Sequence, residues 1–163
     1  MKVAILCNGP SRNLYSDSSQ YNYIIGCNIP WTKVDSTVVL DADVLLKMNT
    51  PQRFYCGNQT WMNTPIKVRN KLIGYLASMI KTLPDYDSTG HAAARTVIEM
   101  GATEIDIYGC DSWFSANTDS HTHQWVDSRP IDMNKHVSVW RARWYELMAS
   151  HPDIVFNFIG EPK

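Results

Sequence analysis

Short apolar segments of strand length alternate with segments of helical period along this chain, and that alternation restricts the fold more than any other feature. Residues 2–7 (KVAILC), 22–27 (NYIIGC), 36–41 (STVVLD), 52–56 (QRFYC), 104–109 (EIDIYG) and 153–158 (DIVFNF) are rich in Val, Ile, Tyr and Phe and end in turn residues, the signature of strands. Between them, Thr64 and Pro65 start a helical stripe of Val68, Leu72, Leu76, Met79 and Leu83. A second helix starts near Thr89, runs through Ala92, Ala93, Ala94, Val97 and Ile98, and stops at Gly101. A third, with Asp132 as its cap, carries Val137, Trp140, Trp144 and Leu147 on one face. Strands alternating with helices predict an α/β fold: one Rossmann-like domain over residues 1–163, with a mainly parallel sheet flanked by helices. The chain's 163 residues suffice to bury the core of one such domain. Residues 112–131 (SWFSANTDSHTHQWVDSRPI) show no period, and a polar stretch of that length reads as a lid loop.

A parallel sheet brings the carboxyl ends of its strands to one edge, where ligands bind. Here those ends share a chemistry: Cys7-Asn8-Gly9, Cys27-Asn28, Asp41-Ala42-Asp43, Cys56-Gly57-Asn58 and Cys110-Asp111. Each alone is an ordinary turn residue. Together they predict a polar site assembled from distant residues. The segment after Ser88 and Thr89 adds the start of a helix whose Gly90 permits close approach to its backbone. Such a start either binds a phosphate through its free N–H groups or is simply a capped helix packed by alanine.

Charge and cysteine content narrow the partners. The formal net charge is −1, so the basic excess of a nucleic-acid binder is missing. No apolar run approaches the length of a membrane span. Strand-like KVAILC directly after Met1 does not read as a signal segment, so the expected location is the cytoplasm. Cys7, Cys27, Cys56 and Cys110 have no CxxC spacing, which argues against a zinc ribbon or a redox motif and for buried, reduced thiols. Self-association is left open.

Several of these pieces, taken in order, resemble the bacterial lipooligosaccharide sialyltransferases. The matching residues are Cys7-Asn8-Gly9-Pro10-Ser11, Cys27-Asn28, Thr89-Gly90 through Gly101-Ala102-Thr103-Glu104-Ile105, and Tyr108-Gly109-Cys110-Asp111. The 6-hydroxymethylpterin pyrophosphokinase-like proteins share a similar Gly-x-Gly-Pro-Ser start. The sialyltransferase resemblance implies transfer of a sialic acid-like sugar from a CMP-activated donor to a hydroxyl on a small-molecule or glycan acceptor. It implies donor contacts from Asn8, Gly9, Ser11, Asn28, Thr89 and Gly90, with Asp41 standing where the family carries an Asn; Asp111 and Trp113 complete the expected donor site. It places the general base within Ser120-His121-Thr122-His123, with His123 preferred over His121. A histidine near its ordinary pKa suits that role, although loop histidines are commonly just solvated. Trp113 and Phe114 stand where the family carries a tyrosine that stabilises the departing phosphate. Two other readings follow: a pyrophosphokinase-like phosphotransferase, and a non-catalytic nucleotide or nucleotide-sugar binder. The stretch Val38 to Val44, with Asp41 and Asp43, also resembles the DxD strand of metal-dependent glycosyltransferases. It lies too early in the chain for that motif, so no metal is required, and a divalent ion is left open.

Overall fold

The computed structural model describes residues 1–48, 53–76, 80–83, 88–114 and 133–160. Among these residues, seven strands form one sheet: β1 (Lys2–Leu6), β2 (Tyr23–Cys27), β3 (Ser36–Val39), β4 (Phe54–Gly57), β5 (Ile80–Leu83), β6 (Glu104–Tyr108) and β7 (Val155–Ile159). Their spatial order is β5-β4-β3-β2-β1-β6-β7, and every neighbouring pair is parallel. The chain steps outward from β1 to β5, then returns to the other side of β1 for β6 and β7. The direction of travel therefore reverses between β1 and β6, at the place where open α/β sheets leave a crevice. This is the expected α/β, Rossmann-like architecture.

Among the described residues, five α-helices connect the strands: α1 (Ala42–Lys47), α2 (Asn58–Asn63), α3 (Ile66–Leu76), α4 (Thr89–Glu99) and α5 (Met133–Ser150). Alternation along the strands sorts the core into layers. Val3, Ile5, Cys7, Ile25, Cys27, Val38, Ile105 and Ile107 meet Ala92, Ala93, Ala94 and Val97 of α4 and Trp144 and Leu147 of α5. The alanines let α4 lie close to the sheet. On the opposite face, Val39, Phe54 and Cys56 pack with Val44 and Leu45 of α1 and Leu72 of α3. The rest of that face, around Ala4, Leu6, Ile24 and Tyr108, is covered by Tyr15, Tyr21 and Val34 from connecting segments. Tyr15 meets Tyr108 edge-on, with 5.4 Å between ring centroids.

One expectation is corrected. Of the expected helical stripe ending at Leu83, Val68 and Leu72 lie in the helix Ile66–Leu76, Met79 lies outside the described residues, and Ile80–Leu83 forms the edge strand β5, paired with β4 from Phe54↔Ile80 to Gly57↔Leu83. Backbone pairing along β4 outweighs the helical spacing of these residues. The short helices α1 and α2 have no counterpart in the periodic pattern of the sequence. Gly101, with φ +92°, ends α4 as expected, and the Ser88 hydroxyl accepts the His91 N–H at the start of that helix, at 3.5 Å.

Candidate functional site

The carboxyl ends of β1 and β6 are locked together by backbone, glycines and side chains in turn. The backbone continues the ladder past the strands: Cys7 N–H donates to Tyr108 O and Gly9 N–H donates to Gly109 O, both at 2.8 Å. Gly109 takes φ +71°, and a Cβ there would sit 2.6 Å from the Cys7 carbonyl oxygen. A Cβ on Gly9 would collide with Asp111 Oδ2. Both glycines are therefore required by close approach. The side chains complete the lock. The Ser11 N–H and hydroxyl both donate to Asp111 Oδ2 at 2.9 Å, and Gly109 N–H donates to Ser11 Oγ at 3.0 Å. Ser11 and Asp111 are buried, so these bonds lie out of bulk water.

Two asparagines flank this lock. Asn8 is buried and its Nδ2 donates to Cys27 O at 3.2 Å, tying the end of β1 to the end of β2. Asn28 follows β2 with φ +63°, the left-handed region where Asn is tolerated better than other side chains. Its N–H donates to Val38 O at 2.7 Å and its carbonyl accepts the Thr37 hydroxyl at 2.5 Å. Asn28 is only 7% exposed, yet its Oδ1 accepts no hydrogen bond from any described residue. A buried acceptor in that state is costly unless a ligand or water supplies a donor.

The first turn of α4 rests on the same edge. A Cβ on Gly90 would lie 3.0 Å from Cys7 Sγ and 3.5 Å from the Trp144 ring. The N-terminal end of α4, the positive end of its dipole, thus meets the end of β1. Beneath lie three thiols. Cys7 Sγ and Cys27 Sγ are 3.6 Å apart, and Cys110 also hydrogen-bonds Cys7. The Cys7 thiol is lowered by Cys110 but raised more by Cys27 and burial, and ends well above the ordinary value. The Cys110 thiol is also well raised, by its bond to Cys7 and by burial.

The structure thus gathers Asn8, Gly9, Ser11, Asn28, Gly90 and Asp111 at adjoining strand ends, with Thr89 beside them at the start of α4. Ser11 and Asp111 engage each other, and their bonds fix the turn after β1. Asp41 and Asn58 lie farther along the same edge, exposed, at the starts of α1 and α2. Trp113 is turned toward the other side of β6, where its ring stacks on Phe158 at 4.1 Å and 9° and leans on Tyr145. His121 and His123 fall outside the described residues, as does the 112–131 stretch beyond Phe114. Among the described residues, no group of three His, Cys, Asp or Glu side chains is arranged to hold a metal ion. Among them, too, no helix is long and apolar enough to cross a membrane.

Two features lie outside the sequence-based expectations. Arg141 Nε donates to Ser112 O at 2.8 Å, which brings a cation from α5 to the turn after β6. Nothing in the local sequence marks it. Asp106, in the middle of β6, is buried and holds Lys2, Tyr21 and Asn157. Its signal was present: an acid between Ile105 and Ile107, at the centre of a strand whose neighbouring positions are apolar. Comparison with protein-family models, curated proteins and solved structures finds no match for this chain.

Proposed function

We propose that this edge binds the nucleotide part of a CMP-activated sugar, and that the protein transfers a sialic acid-like sugar from it to an acceptor hydroxyl, with His123 or His121 as general base. The observation that carries the reading is Asn28: a strained backbone and a buried, unpartnered Oδ1, beside Asn8 and the first turn of α4. Strain and an unmet acceptor persist where a ligand uses them. A cytidine base or a ribose offers the N–H or O–H donor that Oδ1 lacks, and the N-terminus of α4 suits the phosphate. The motif resemblance supports the choice of cytidine and of glycosyl transfer. The packing of Trp113 on Phe158 favours one second reading, a binder without turnover, because no phenolic hydroxyl stands at that position to stabilise a leaving phosphate.

The test pairs ligand and variant. A ligand at 100 times its dissociation constant stabilises its protein by about 2.7 kcal/mol, so cytidine monophosphate is expected to raise the melting temperature above the rise given by adenosine or guanosine nucleotides. Asn28→Gly keeps the left-handed backbone but removes the amide. It is expected to weaken cytidine nucleotide binding by about tenfold or more while leaving the melting temperature of the free protein nearly unchanged. Stronger protection by ATP would move the reading to a phosphotransferase. Unchanged binding by Asn28→Gly would remove its foundation. Turnover lost in His121→Ala or His123→Ala, with donor binding intact, identifies the base.

A further inference from the structure

We propose that Cys7 and Cys27 form a reversible disulfide that closes the ligand edge between β1 and β2. Sequence spacing hides the pair, because 20 residues separate the two. The sheet joins them. β1 and β2 pair in parallel up to Leu6↔Gly26, so the next residues along, Cys7 and Cys27, stand opposite each other. Neighbouring strands lie roughly 4.8 Å apart, inside the roughly 4.4–6.8 Å range of Cα separations that a disulfide spans. Both side chains point to the same face, and their sulfurs are 3.6 Å apart, in van der Waals contact. A bond of about 2.05 Å then needs an approach of roughly 1.5 Å.

Reactivity is set by opposing influences. Cys110 lowers the Cys7 thiol, but Cys27 and burial hold it well above the ordinary value, which slows formation of the reactive Cys7 thiolate. The start of α4 lies against Cys7 Sγ, and its positive end favours the thiolate when one forms. The oxidant is hydrogen peroxide. The Cys7 thiolate attacks one peroxide oxygen and the O–O bond breaks, which gives a sulfenic acid and hydroxide; the hydroxide takes up the thiol proton as water. Cys27 sulfur then displaces the sulfenic oxygen, which leaves as a second water. Two thiols and one peroxide become one disulfide and two waters. A dithiol reverses the change by exchange.

The consequence follows from chain order. Cys7 and Cys27 directly precede Asn8 and Asn28, and Asn8 Nδ2 donates to the carbonyl of Cys27 itself. Drawing the sulfurs together displaces both asparagines. This effect on ligands rests on the reading of the edge as a nucleotide site; the disulfide itself does not.

The experiment exposes the full chain to excess hydrogen peroxide, blocks remaining thiols, and maps peptides by mass spectrometry with and without dithiothreitol. The expected product is a Cys7–Cys27 linked peptide, about 2 Da lighter than the two thiol peptides together, that disappears on reduction. Cys56→Ser still forms it, since Cys56 lies in a different part of the core. Cys27→Ala does not. Cytidine monophosphate affinity, by calorimetry, is expected to fall at least about tenfold on oxidation and to recover with dithiothreitol. A link from Cys7 to Cys110, or oxidation only to sulfinic acid, overturns the pair. A clean disulfide with unchanged affinity overturns the closing of the edge. If the reduced protein binds no cytidine nucleotide, the functional reading fails, and the peptide map alone still decides the disulfide.

Discussion

Replacing Asp111 by Ala tests whether the turn after β1 is held from 100 residues away. Asp111 Oδ2 accepts two bonds from Ser11, from its N–H and its hydroxyl, both at 2.9 Å and both buried. A hydrogen bond to a charged acceptor contributes about 1.5–3 kcal/mol. The hydroxyl can re-aim once the carboxylate is gone, because it still accepts from Gly109 N–H; the Ser11 N–H has no such choice. The expected loss is therefore about 3–5 kcal/mol rather than the full sum. For a chain of this size each kcal/mol lowers the melting temperature by about 2–4 °C. The variant should melt roughly 6–20 °C lower and, with a urea slope of about 2 kcal/mol per molar, unfold at a midpoint lower by roughly 1.5–2.5 M. Asp111→Asn keeps the shape and an acceptor oxygen but loses the charge, and should lose about half as much. Ser11→Ala leaves Gly109 N–H without its acceptor and should cost about 2–3 kcal/mol. Because the residues share a bond, the double variant should lose at least about 1 kcal/mol less than the two single losses added. Urea unfolding followed by circular dichroism measures all of these proteins. An Asp111→Ala protein within about 1 kcal/mol of the parent, or strictly additive losses, would refute the lock.

The two positive-φ glycines should separate strain from collision. Gly101→Ala meets open space and should cost only the left-handed conformation, about 1–2 kcal/mol, whereas Gly109→Ala also drives a Cβ to 2.6 Å from the Cys7 carbonyl oxygen and should cost clearly more; equal losses in urea unfolding would show that β1 and β6 are not in such close contact. Asp106 should account for part of the acid sensitivity. Burial pushes its carboxyl up, but the bonds from Asn157, Tyr21 and Lys2 outweigh it and hold the folded value below the ordinary one. A depressed folded pKa gives stability that is present above the unfolded value, near about 4, and is lost as pH falls through the folded one. Asp106→Asn should therefore lose less stability than the parent between about pH 7 and pH 3, measured by urea midpoints at both; parallel pH profiles would dismiss the network as the cause.

Much of this protein was legible along the chain itself. The alternation of apolar strands with helical stripes marks an α/β fold, because period-2 and period-3.6 burial leave different local patterns. The polar residues after each strand mark a single edge, because parallel strands must all end on the same side. The stop at Gly101 and the burial of Val137, Trp144 and Leu147 follow from the same local rules. Other features were decided only by tertiary structure. Residues 80–83 carry a helical spacing but pair as an edge strand, since β4 offers a ladder that no window of sequence displays. Strand order puts β6 rather than β3 beside β1, and with that choice Asp111 reaches Ser11 and Cys7 faces Gly109. Register sets Cys7 opposite Cys27, although neither their spacing nor their neighbours suggest a pair. Trp113 packs on Phe158 because β7 lies beyond β6. Local periodicity is written in adjacent residues, whereas these contacts depend on which strands become neighbours, and that is settled by the combined packing of all seven.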